Sequence, residues 1–122
     1  MAGPRHLVSA WLLAALAQAA AAATLEVEVL DRDGKPLPEA VVFLESAAAR
    51  SASRPLAGVE IEQAAKRFTQ AVTVVTVGTA VSFPNRDTVR HHVYSFSPAK
   101  SFELKLYIGT PASPVVFDKP GI

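Results

Sequence analysis

The adjacent pair His91-His92 holds the side chains of this 122-residue chain best suited to chemistry. Imidazole serves as a metal ligand, copper and zinc included, and as a proton carrier near neutral pH. The pair opens the stretch His91 to Phe96, which reads as a β-strand. Side chains alternate across a strand, so His91 and His92 are predicted to point to opposite faces, and they line one site together only if a bulge intervenes. A ligand at the head of a strand is held by the sheet yet stays near the open end of the domain. The chain has no cysteine, and its single methionine is Met1, so neither a thiolate nor an internal thioether is on offer. A Gly-rich phosphate loop, His-Glu-x-x-His and Gly-x-Ser-x-Gly are all absent, and no Ser or carboxylate has a spacing that points to a nucleophile. The chain is therefore expected not to be an enzyme.

The elements that would position the pair are short and β-like, with no sustained helical repeat. Thr24 to Leu30 alternates strictly, with Leu25, Val27 and Val29 on one side, and reads as a half-buried strand. Asp31 to Pro36 supplies a turn in which Asp33-Gly34 tolerates positive φ. Ala40 to Leu44 reads as a second strand, Glu45 to Gly58 as a polar loop and Val59 to Gln70 as irregular. The β-branched run Ala71 to Val77, a turn at Gly78-Thr79 and Ala80 to Phe83 read as a central hairpin ended by Pro84-Asn85. His91 to Phe96, Ser101 to Tyr107 and Pro114 to Phe117 complete the set. Strands of this length at this spacing predict an antiparallel sandwich or barrel.

At the N-terminus, Arg5 and His6 precede an apolar run from Leu7 to Ala23 that ends in consecutive alanines. This is the pattern of a secretory signal peptide, residues 1–23, with Thr24 opening a single domain over residues 24–122. The same run retained as a membrane anchor is the other reading, but poly-alanine is only weakly hydrophobic, so cleavage and a periplasmic product without a stable membrane anchor are expected. Of the 12 Lys/Arg, Arg5 leaves with the leader, and the remaining eleven balance the 11 Asp/Glu. No clustered basic run interrupts that balance, so nucleic acid is not an expected partner.

The segment Val74 to Phe96 carries a family resemblance. Its pattern V-x-x-G-x-x-V-x-F-x-N-x-D, followed shortly by His and a strand, resembles plastocyanins, amicyanins and pseudoazurins, the cupredoxins. Over essentially the whole of residues 24–122 the chain is similar to the cupredoxin-like proteins labelled methylamine utilization proteins. The residues that carry this are Val29 to Val42, Phe83-Pro84-Asn85-Arg86-Asp87, Arg90 to Ser97, Phe102 to Tyr107 and Phe117 to Gly121. The resemblance implies an all-β, antiparallel Greek-key β-sandwich, a copper cofactor, and electron transfer with a periplasmic redox partner such as a cytochrome or a dehydrogenase. In those families the first copper ligand opens a His-Asn-Val tripeptide, matched here by His91-His92-Val93. His91 thus takes the ligand position, and His92 replaces the bracing asparagine, a departure from the pattern. Both are candidate metal residues. The family's remaining ligands lie in a loop of the form Cys-x-x-His-x-x-Met, and Ile122 precedes any such loop, so the copper site and the sandwich are expected to be incomplete at the C-terminal end. The alternative is a copper-free periplasmic β-sandwich module that binds partners through its edge strands, as the Leu25 to Leu44 segment resembles transthyretin-like repeats.

Overall fold

The computed structural model describes residues 24–122, so the expected signal peptide, residues 1–23, lies outside the described residues. Strands dominate. They are β1 (Val59–Glu60), β2 (Gln63–Ala64), β3 (Arg67–Phe68), β4 (Thr79–Ser82), β5 (His91–Phe96), β6 (Ser101–Tyr107) and β7 (Val115–Phe117). The one helix among the described residues, α1 (Ala47–Ala52), falls in the stretch read as loop. Alanines favour it, and the Ser46 hydroxyl caps it by accepting from the Ala49 amide at 3.0 Å.

β4 is the middle strand of a three-stranded sheet, antiparallel to β7 and parallel to β1. The sheet is therefore mixed, where a purely antiparallel arrangement was expected. The parallel pair arises because the β2–β3 hairpin and the run after it carry the chain back before β4 begins. β5 and β6 form a separate antiparallel hairpin. Apolar side chains of both sheets meet in one cluster, with Val81, Phe83, Val93 and Val115 buried at its centre. The Phe83 and Phe102 rings, 5.4 Å apart, join the two sides.

β5 and β6 span the residues expected from their patterning, and β7 falls within its expected stretch. Three other expectations are corrected. Thr24 to Leu30 is not a half-buried strand: Leu25 is 74% exposed and only a Leu30–Pro36 bridge forms. The turn itself is present, with Gly34 at φ +77 and the Asp31 carboxylate accepting from the Asp33 and Lys35 amides. Pro36 and Pro38 on the return arm lack N–H donors, so the ladder stops. Ala40 to Leu44 is likewise exposed and unpaired. Ala71 to Val77 lies outside any ladder, because β4 takes β1 and β7 as neighbours. The turn after it requires glycine: Gly78 sits at φ +88, and a Cβ there would lie 3.1 Å from Pro55 Cγ.

Candidate functional site

His91 lies where three segments converge. Residues 59–63 run beside 81–86, with the Ile61 amide donating to Ser82 O, the Gln63 amide to Pro84 O and the Arg86 amide to Gln63 O. On the other side of that track, Asn85 exchanges two backbone bonds with Gly109, just beyond β6, at 2.8 and 3.1 Å. The Asn85 side chain is almost fully buried. Its amide nitrogen donates to Val89 O and Tyr107 O, and its oxygen accepts from the Asp87 amide. This one side chain shapes the loop that delivers His91 to the head of β5.

The inward face of β5 carries His91, Val93 and Ser95, and the outward face His92, Tyr94 and Phe96. A register shift between His91 and Val93 marks a bulge, with two residues of β6, Lys105 and Leu106, opposite His92. The extra residue is on β6, so the alternation along β5 survives and the two histidines stay apart. His92 faces Glu103 at 2.9 Å and packs edge-on against Tyr94, which in turn packs on Phe96. It belongs to an exposed aromatic row.

His91 is the end of a polar chain that begins in the core. The Tyr107 hydroxyl donates to Phe83 O at 2.7 Å and accepts from Gln63 Nε2 at 2.6 Å. That fixes the amide, turning Gln63 Oε1 toward His91 Nδ1 at 2.8 Å, so Nδ1 carries the proton. The other ring nitrogen, Nε2, then faces Asp87 Oδ2 at 3.1 Å. Between an imidazole lone pair and a carboxylate only a proton or a cation is accommodated favourably. Asp87 is itself fixed, accepting from the Ala65 and Lys66 amides at 2.8 Å each. Gln63 and Tyr107 were not singled out by the sequence. Gln63 is separated from His91 by two intervening strands, β3 and β4, and the loops around them, and no local motif links them.

Burial pushes the Tyr107 phenol above its ordinary value of 10.0, with the Gln63 hydrogen bond pulling the other way. The folded chain therefore holds this proton more tightly than the unfolded chain does. The resulting stabilisation is complete below about pH 10 and is lost as pH rises through the folded-state value. Melting temperatures measured from about pH 9 upward are expected to fall on an alkaline limb that Tyr107→Phe flattens.

A cupredoxin copper centre takes two imidazoles, a thiolate and a weak thioether. Residues 24–122 contain neither Cys nor Met, and their two histidines face opposite ways. Among the described residues no three His, Cys, Asp or Glu side chains converge as a metal-holding group. The described residues alone thus do not fit such a centre. They fit one preoriented imidazole with a carboxylate beside it.

An open groove of about 490 Å³ lies alongside, bordered by Gln63, Phe68, Val89, His91 and His92 and by the cations Lys66, Arg67 and Arg90. Comparisons of the chain with protein families, with curated proteins and with solved structures find no match.

Proposed function

We propose that this chain is an exported, cupredoxin-like Greek-key domain of a periplasmic copper electron-transfer family, in which His91 is the one copper ligand this chain contributes. The observation that supports it is the Tyr107–Gln63–His91 chain, which fixes a single tautomer and leaves Nε2 facing Asp87. Metal-binding histidines are characteristically oriented by a hydrogen bond to their other nitrogen. A complete centre of that family needs a thiolate, a second imidazole and a thioether besides. Copper held there would supply one-electron redox chemistry; His91 would be the donor to it, and Gln63 and Tyr107 orient that imidazole. In this reading His92 is not a ligand.

Copper titration of the protein is expected to give weak Cu(II) binding and no intense blue band, since that band requires a thiolate on Cu(II). His91→Ala is expected to abolish the binding and His92→Ala to leave it. Appending a Cys-x-x-His-x-x-Met segment after Ile122 is expected to bring the colour. Unchanged Cu(II) binding in His91→Ala would show the ligand assignment wrong. The copper-free binding module is the second reading, favoured by the fact that both ring nitrogens of His91 already face protein acceptors.

A further inference from the structure

We propose that the groove beside His91 is a docking site for a carboxylate-rich surface of a partner protein, gripped by Lys66, Arg67 and Arg90. This goes beyond the ligand reading and holds whether or not metal binds at His91.

The first support is charge. Elsewhere on the domain Arg86 is paired with Glu60 and Glu62, Arg50 with Glu45 and Lys100 with Asp118, while Arg32, Lys35, Arg54, Lys105 and Lys119 make no ion pair among the described residues and do not border this groove. Lys66, Arg67 and Arg90 make no salt bridge among the described residues, yet they border one groove from two separate segments. Asp87 is the nearest acid in the loop, and its oxygens are already taken by two backbone amides and His91. A near-neutral chain that gathers unmatched positive charge in one place raises the local concentration of negative partners. The groove is open, and exposed Phe68 and Val89 flank it. That shape suits a protruding protein surface, with apolar contact beneath a charged rim, rather than an engulfed small anion.

The second support is conformational. β2 and β3 are joined by a two-residue turn in which Ala65 and Lys66 both have left-handed φ, +52 and +61. Hairpin turns of this kind ordinarily use Asn-Gly, because residues with a side chain are strained there. Asp87 holds the turn by binding both amides. Those bonds keep Lys66 at the groove despite the strain, where glycine would relieve the strain and remove the charge.

The test is an NMR titration of the metal-free protein, in chelator, with an oligoglutamate peptide and, separately, with inorganic phosphate and an oligolysine peptide. Oligoglutamate is expected to shift the amides of residues 63–68 and 89–93, with an affinity that falls as salt rises. Combined Lys66→Ala, Arg67→Ala and Arg90→Ala is expected to weaken it roughly tenfold, and Arg50→Ala with Arg54→Ala to leave it. Lys66→Gly is expected to raise the melting temperature while weakening the peptide, a combination that misfolding cannot produce. The proposal is overturned if oligoglutamate leaves these amides unshifted, if the triple variant binds as well as the parent, or if phosphate binds as tightly as the peptide.

Discussion

Phe83→Ala is expected to cost about 3–5 kcal/mol of folding free energy, the upper range for a single core truncation. Phe83 is 4% exposed and follows directly on β4, which among the described strands alone has neighbours on both sides. Its ring meets Phe102 of the β5–β6 hairpin, and Phe102 in turn meets Phe117 of β7. Removing it opens a cavity where the two sheets join, leaving Val81, Val93 and Val115 as the buried members of the apolar cluster around the gap. Small domains hold roughly 5–15 kcal/mol in total, so a large share of the folded population is at stake. The urea midpoint of the variant measures the loss, provided the slope is unchanged. Phe96→Ala is the control: at 84% exposed it is expected to change stability by less than about 0.5 kcal/mol. Equal losses in the two variants would overturn the assignment of the core.

Asn85→Ala is expected to cost about 2–4 kcal/mol, because three hydrogen bonds disappear together, each worth roughly 0.5–1.5 kcal/mol net. The Val89 and Tyr107 carbonyls and the Asp87 amide lose the same partner, and no other side chain of the loop replaces it. The damage is directional. Amide exchange is expected to quicken across residues 85–91, and the His91 ring to lose its fixed place beside Gln63 and Asp87. Asn85→Asp sharpens the test, since a carboxylate oxygen would then confront two carbonyls that now receive an N–H. It is expected to be at least as destabilising as alanine, and a neutral effect would mean that the amide is oriented the other way.

What was legible in the sequence follows from where partners lie. β5 and β6 are joined by a short connection and bury alternate side chains on one face, so their local pattern contains most of what determines them. Thr24 to Leu30 has an equally regular alternation but meets two prolines where its return strand would pair, and alternation without a partner makes no ladder. The β2–β3 hairpin was hidden for the opposite reason: its turn residues, Ala65 and Lys66, are not turn formers, and Asp87, remote in sequence, supplies the missing preference. The opposite-face reading of His91 and His92 holds despite the bulge. The Gln63 and Tyr107 contacts join residues far apart in the chain, where no spacing rule reaches.

The placement of β4 between β1 and β7 also bears on how the chain reaches its native state. One neighbour comes from well before β4 and the other from near Ile122, so neither pairing can form by local zippering. The β5–β6 hairpin has no such handicap and is the natural early structure. Each closure onto β4 must bear the entropy of a long loop before its hydrogen bonds form, which places the domain among slow, topology-limited folders. The pairing with β7 closes the longer of the two loops, and without it the edge of β4 opposite β1 stands open.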